Sequence, residues 1–268
     1  MAKNKILLSI AILTGLFLYI TGKVSGGADY AGPQVCAECH GEAHENFMKN
    51  GHAVEADPRK PAAKFGCESC HGPGTGHAED EDINKILSLG PDSPLPAEKK
   101  NAACLACHEN GKQSLWHGSE HESRGLSCSE CHSIHSGKAD GLSRVKENQL
   151  CIRCHKQIRS QLIRQSRHPL REGKIGCNDC HNPHGSTADK LIDAQNINTK
   201  CFECHAEKRG PFLWDHPPVT EDCQVCHTPH GSTRNALLKG RMPYLCQRCH
   251  SDQVHSGNLY ARNAGQAN

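Results

Sequence analysis

Aromatic residues are scarce in this chain of 268: five Phe, four Tyr and two Trp, 4% in all. Hydrophobic residues reach 36%, below the ~45–50% usual for a soluble globular domain. A self-sufficient apolar core of the size this length would need is therefore excluded, and something other than Leu and Phe must fill the interior. Excess charge is missing too. Thirty-one Lys and Arg against 29 Asp and Glu leave +2, which rules out a strongly basic nucleic-acid binder. Methionine occurs three times, at Met1, Met48 and Met242. After the run Ile6–Ile20 there is no second long hydrophobic stretch.

That run follows Lys3 and Lys5 and is about 15 residues long, short of the ~20 a spanning helix needs. Small residues follow at Ser25, Gly26, Gly27 and Ala28. The pattern is that of a signal peptide over residues 1–26, with an uncleaved anchor as the alternative. The first cysteine, Cys36, lies well past it, so a lipid anchor at the cleavage point is not expected. The rest of the chain is expected to be exported.

What the chain has in excess is cysteine, 18 residues, and histidine, 20. Every cysteine belongs to a Cys-x-x-Cys-His motif. The nine pairs are Cys36 and Cys39, Cys67 and Cys70, Cys104 and Cys107, Cys128 and Cys131, Cys151 and Cys154, Cys177 and Cys180, Cys201 and Cys204, Cys223 and Cys226, and Cys246 and Cys249. The motif histidines are His40, His71, His108, His132, His155, His181, His205, His227 and His250. This is the attachment signature of c-type haem. Two thiols add across the two vinyl groups; two intervening residues keep both sulfurs on one ring edge, and the next residue, His, lies beneath the iron as proximal ligand. A disulfide scaffold gives no reason for nine histidines at one offset. Zinc ribbons do not require His after the second Cys, and nine motifs do not pair evenly. Nine covalently bound haems are the expectation, and they replace the missing core.

Eleven histidines remain for nine sixth positions, and with so little Met most irons cannot take a thioether ligand. Bis-histidine ligation is the natural reading. Eight of the eleven recur in two-haem units of roughly 35–45 residues. They are His52 and His77, His121 and His135, His168 and His184, and His216 and His230, two per unit, with the ninth motif as a closing half-unit. A His three residues after a motif His (His135, His184, His230) cannot reach the far face of that motif's own haem, so it is expected to ligate a neighbouring one. The ninth distal ligand is left open among His44, His117 and His255.

The expected fold is that of a multihaem cytochrome c: mostly coil, with short α-helices wrapped around an elongated chain of haems and little or no β-sheet. One haem domain spans residues 30–258, and 259–268 is a polar tail expected to be disordered. Spacers between motifs are too short for independent domains. The longest, 72–103, carries Glu79-Asp80-Glu81-Asp82 and a short helix is expected near Ile83–Leu89. The basic stretch 153–174 is expected to hold a helix over Ile158–Gln165, facing haem propionates, solvent or a redox partner.

Catalysis needs an open iron or an unusual proximal ligand. All nine motifs end in His and enough distal histidines exist to close every iron, so an electron carrier rather than an enzyme is expected, with no catalytic residue. A reductase with one open haem is the alternative.

The segments Cys177-Asn-Asp-Cys-His-Asn-Pro-His-Gly and Cys223-Gln-Val-Cys-His-Thr-Pro-His-Gly resemble the MtrA/DmsE-type periplasmic decahaem cytochromes. So do the opening Cys36-Ala-Glu-Cys-His with Phe47 and Gly51-His52-Ala53, and the ending Cys246-Gln-Arg-Cys-His-Ser-Asp-Gln-Val-His255. The resemblance covers residues 30–258. It implies a periplasmic bis-histidine haem wire at the outer membrane, serving anaerobic respiration and extracellular electron transfer. Its implied partners are an outer-membrane β-barrel porin, an outer-surface multihaem cytochrome and a periplasmic or inner-membrane redox donor. Nine motifs stand here where that family has ten. A soluble periplasmic donor to a terminal reductase, or a haem filament outside the cell, are the other readings.

Overall fold

A computed structural model describes residues 29–136 and 144–250. The expected leader at 1–26, the tail at 259–268 and the candidate ligand His255 lie outside them. The described residues form eleven short α-helices: α1 (Pro33–Cys39), α2 (Gly41–Met48), α3 (Glu68–His71), α4 (Thr75–Asp80), α5 (Ala97–Leu105), α6 (Glu120–Ser123), α7 (Arg144–Ile152), α8 (Lys156–Leu162), α9 (Ile197–Phe202), α10 (Pro217–Glu221) and α11 (Tyr244–Gln247). One or two 3-10 turns lie between them, except between α1 and α2, α3 and α4, and α7 and α8. No described helix exceeds nine residues, and none is long and apolar enough to cross a membrane. Among the described residues, β structure is confined to three isolated bridges, Ser166–Ser232, His181–Ile192 and His227–Leu238. Short helices, abundant coil and no sheet match the architecture expected of a multihaem cytochrome c.

One local turn is repeated nine times. In every motif the His backbone N–H donates to the carbonyl of the first Cys, at 2.8–3.1 Å. This single helical turn places two sulfurs and an imidazole on one side of the backbone. The first motif of each unit ends an α-helix (α1, α5, α7, α9), as does the ninth (α11). The second motif of the first unit lies on the short helix α3, and those of the other three units sit on single 3-10 turns. At His40 the chain leaves helical geometry (φ −110°, ψ 43°), so this motif His itself caps α1, whereas α9 is capped at Glu203 and His205 (φ −109°, ψ 49°) caps the turn that follows.

The interior is polar. Among the described residues six apolar ones are buried: Phe47, Trp116, Leu162, Leu170, Ile192 and Leu245. Ten polar ones are buried, among them Asn101, Asn148 and Asn198, at 3–5% exposure. These three asparagines occupy one position, three residues before the first Cys of a unit. Their Oδ1 atoms accept the backbone N–H of Cys128, Cys177 and Cys223 at 2.8, 2.8 and 2.7 Å. Their Nδ2 atoms donate to carbonyls just upstream of the second motif: Leu126, then Leu170 and Ile175, then Val219 and Thr220. Each asparagine thus clamps the second motif of a unit to the helix of the first. The first unit has Pro33 at this position and uses Glu68 instead, whose carboxylate accepts the N–H groups of Ala31, Gly32 and Gly74.

Two helix expectations are corrected. Near Ile83–Leu89 only the turn Ile83–Lys85 forms. Ile86 is extended, and Leu87 donates its N–H to the His71 carbonyl at 3.0 Å and offers its own carbonyl to His71 Nδ1 at 2.7 Å. A helix there would take both groups away from His71. The helix expected over Ile158–Gln165 is α8, which starts earlier and stops at Leu162. Its end is where the Gly231 backbone packs onto the Gln161 carbonyl; a Cβ on Gly231 would stand 2.1 Å from that oxygen. Of the basic stretch, Arg153 reaches the Glu130 carbonyl, Arg164 the Gly231 carbonyl, and Arg167 the Glu172 carboxylate.

Candidate functional site

Eight of the nine motif histidines face another imidazole, and never one from their own segment. The pairs are His40–His77, His52–His108, His71–His135, His121–His155, His132–His184, His168–His205, His181–His230 and His216–His250. Their ring centroids stand 5.9–6.3 Å apart. Two imidazoles bound to one metal from opposite sides, each through a ring nitrogen at about 2 Å, have centroids roughly 6 Å apart. The spacing is too wide for stacked rings in contact and fits one iron per pair. All eight unit-matched histidines are in these pairs. His44 and His117 are in none; His117 is exposed and holds the Glu122 carboxylate at 2.9 Å. His227 faces no imidazole among the described residues.

The pairing follows one rule. The histidine between the two motifs of a unit meets the first motif of the next unit: His52 with His108, His121 with His155, His168 with His205, His216 with His250. The histidine after the second motif reaches back to the second motif of the previous unit: His135 with His71, His184 with His132, His230 with His181. The first unit departs from this rule, and His77 meets His40 within it. Complete units therefore interlock in both directions. The two kinds of pair also differ in angle. Pairs on second motifs, and the two terminal pairs, have rings 15–27° apart. The three forward pairs between complete units are crossed, at 68°, 72° and 49°.

Each imidazole must present one nitrogen, and the other must be held. Backbone carbonyls do this at Nδ1 of six histidines. Leu87, Lys190 and Ala236 hold the motif histidines His71, His181 and His227, at 2.7, 2.9 and 2.7 Å. Asp82, Pro183 and Pro229 hold His77, His121 and His168, at 3.1, 2.7 and 2.7 Å. A carbonyl at Nδ1 fixes the tautomer and leaves Nε2 as the free lone pair, the arrangement of metal-ligating histidines. Burial lowers the imidazole pKa at His52, His132, His135, His181 and His184, and takes His230 down to about 4. A neutral lone pair is therefore kept for a metal.

The Cys-His-x-Pro-His-Gly blocks carry several of these parts at once. In the block at 180–185, His181 is one motif histidine, Pro183 lends its carbonyl to His121, and His184 pairs with His132. Gly185, at φ +132°, lies against the Leu115 backbone, where a Cβ would come within 2.1 Å of the carbonyl oxygen. After each block comes a pair of left-handed non-glycine residues, Lys190 (φ 57°) with Leu191 (φ 58°), and Ala236 (φ 54°) with Leu237 (φ 57°). Such conformations cost on the order of 1–3 kcal/mol each and persist where the surroundings demand them. Here they aim the Lys190 and Ala236 carbonyls at the motif histidines.

The sulfurs fit attachment rather than redox or zinc chemistry. Among the described residues all eighteen cysteines are free of disulfides. Burial pushes the Cys36 thiol up to about 11 and the Cys201 thiol up to about 12. At these two positions the shift is opposite to that of catalytic and zinc-binding thiols. In the Cys104–Cys128 and Cys151–Cys177 contacts the hydrogen bond lowers one thiol, Cys104 to about 7, and raises the other. A thioether sulfur is uncharged and suits a half-buried position at each site.

The carbonyl ties, the three asparagine clamps and Glu68 are the functional positions that sequence reasoning missed. The asparagines leave a trace, an Asn three residues before Cys104, Cys151 and Cys201.

Comparison with known proteins agrees with this chemistry. A model of the doubled CXXCH motif matches residues 168–210 and 216–255, and a model of NrfB-like cytochrome c-type proteins matches residues 67–146. The multiheme cytochrome MtrA of Shewanella baltica is 41% identical over 236 residues, covering 87% of this chain and 71% of the relative. Cytochrome c-554 of Nitrosomonas europaea is 29% identical over 107 residues, 37% of this chain and 44% of that protein.

Proposed function

The chain belongs to the MtrA family of multihaem c-type cytochromes and is an electron carrier, and we propose that it conducts electrons through nine bis-histidine haem sites between a periplasmic donor and the outer membrane. The observation that carries this reading is the set of eight imidazole pairs at 5.9–6.3 Å, seven of which join neighbouring units. When bound, the haems supply one-electron iron chemistry.

The chain's own residues do the rest. The eighteen motif cysteines anchor the groups covalently. The nine motif histidines hold the proximal face, and His52, His77, His121, His135, His168, His184, His216 and His230 hold the distal face of eight. His255 is assigned as the ninth distal ligand by the reach-back rule: His227 is the second-motif histidine that lacks a following complete unit, and His255 is the one histidine after the ninth motif. The Ala236 carbonyl at Nδ1 of His227 leaves Nε2 of His227 ready for that ligand. With an imidazole on both sides, each iron is closed to small substrates, which suits transfer and not catalysis. The double junction between complete units holds successive sites at fixed separation with little bulk protein between them.

The family resemblance supports a periplasmic protein that works in a porin–cytochrome complex, with an outer-membrane β-barrel porin, an outer-surface multihaem cytochrome, and a periplasmic or inner-membrane redox donor as its partners. Purification of the tagged, haem-loaded chain from mildly solubilised membranes tests this. Stoichiometric recovery of a β-barrel is expected. Recovery of the whole population from the soluble periplasmic fraction, bound to a reductase, would establish the shuttle reading instead.

A further inference from the structure

Two buried N–H groups beside the fourth motif have no partner among the described residues. Trp116 is 6% exposed, and its Nε1 makes no hydrogen bond; nor does the buried Nδ1 of His184. The two rings lie together, centroids 6.4 Å apart and tilted by 57°. His184 is the imidazole that faces His132. Once its Nε2 serves an iron, its Nδ1 carries the proton, so both groups are donors and neither can satisfy the other. Two buried donors on neighbouring rings each call for an acceptor, and one carboxylate can serve both.

The next repeat supplies an internal control. Gly185 packs on the Leu115 carbonyl as Gly231 packs on the Gln161 carbonyl, each with a would-be Cβ at 2.1 Å. This aligns Trp116 with Leu162, the residue after Gln161, and Leu162 is equally buried at 4%. Leu162 fills the position without a donor. The indole is therefore not required for filling this site in the repeat, and its N–H is what the fourth site has in addition.

We propose that Trp116 is a positioning residue for the fourth haem site, whose indole N–H, together with Nδ1–H of His184, binds a haem propionate carboxylate and raises that site's reduction potential above that of its counterpart held by His181 and His230. The inference rests on the reading that His132 and His184 share one iron. A donor that offsets carboxylate charge near an iron stabilises the reduced, less positive centre. Its loss also leaves His184 Nδ1–H as the main donor to that carboxylate, which makes the ligand more electron-rich; both effects lower the potential.

The test compares the wild-type haem-loaded chain with Trp116→Leu, which copies the next repeat, and with Leu162→Trp, which transplants the donor. Optical redox titration, EPR and resonance Raman of the propionate bending modes are recorded for each. In Trp116→Leu all irons stay low-spin, one of the redox waves moves to lower potential and one propionate band shifts. In Leu162→Trp a different wave moves upward. An unchanged titration and unchanged propionate bands in Trp116→Leu, the result if the acceptor is an ordered water, overturn the proposal. If Trp116→Leu fails to load its haem, Trp116→Phe, closer in volume and equally without a donor, must show the same downward wave or the proposal fails. A high-spin iron in the wild-type protein strikes instead at the shared-iron reading on which the proposal stands.

Discussion

Replacing Asn148 by Ala isolates the clamp that joins the two motifs of the third unit. Asn148 is 5% exposed. Its side chain accepts from Cys177 N at 2.8 Å and donates to the Leu170 and Ile175 carbonyls at 2.9 and 3.0 Å. Alanine leaves one backbone donor and two acceptors without these partners. Three buried hydrogen bonds, each contributing about 0.5–1.5 kcal/mol, give a local destabilisation of about 2–4 kcal/mol. The assay is native-state hydrogen exchange of the haem-loaded chain, because a multihaem protein need not unfold in one step. At ~1.4 kcal/mol per decade, amides at 175–179 should exchange roughly thirty- to a thousandfold faster. Amides around Asn101 and Asn198, clamped independently, should keep their rates. Unchanged exchange at 175–179, or equal acceleration in all three units, would refute the assignment of a local clamp.

Four further outcomes follow from the same geometry. His230→Ala should open one iron, and it should be the one attached through Cys177 and Cys180, not the one through Cys223 and Cys226 next to it in sequence; a carbon monoxide complex that disappears in the additional Cys177→Ala/Cys180→Ala variant identifies it. Gly185→Ala drives a Cβ into the Leu115 carbonyl oxygen, 2.1 Å away, at a cost of at least about 3 kcal/mol, seen as a lower haem count by pyridine haemochrome or a lower melting temperature. His117→Ala should leave optical and EPR spectra as they are, since His117 binds Glu122 and no imidazole. The chain produced without haem attachment should lack helical circular dichroism, because the six buried apolar residues among the described ones cannot offset the entropy of ordering that many residues.

Much of this site is written locally and could be read from residue order. The attachment turn closes within five residues, so Cys-x-x-Cys-His specifies its own geometry. The offset of three in His135, His184 and His230 is too short to reach around a macrocycle, so a neighbouring site was the required destination. Which neighbour was not legible, since His52 meets His108 and His230 meets His181 through contacts 56 and 49 residues apart. The carbonyl ties escaped for another reason: a backbone carbonyl has no letter of its own. Pro183 and Pro229 mark turns in the sequence, but nothing there says that their oxygens hold His121 and His168. The helix expected at Ile83–Leu89 failed for the same cause. Its propensity is real, yet the backbone of Leu87 is committed to His71. The asparagine clamps were visible as a spacing and silent as a function, because an Asn before a helical Cys reads as an ordinary polar residue until its partner across the unit is known.

The central claim is that imidazoles close every iron, and that the described sites divide by ring angle. EPR of the fully oxidised, purified chain, with haem counted by pyridine haemochrome, tests it most directly. Nine low-spin irons are expected. At the eight described pairs, five have near-parallel imidazoles, within 27°, and three have rings crossed by 49–72°. Because ring angle sets the splitting of the iron d orbitals, two families of low-spin signal should appear in about that proportion, the ninth iron joining one of them. A high-spin signal amounting to one haem or more, or a single family of low-spin signals, would contradict the interlocked bis-histidine arrangement.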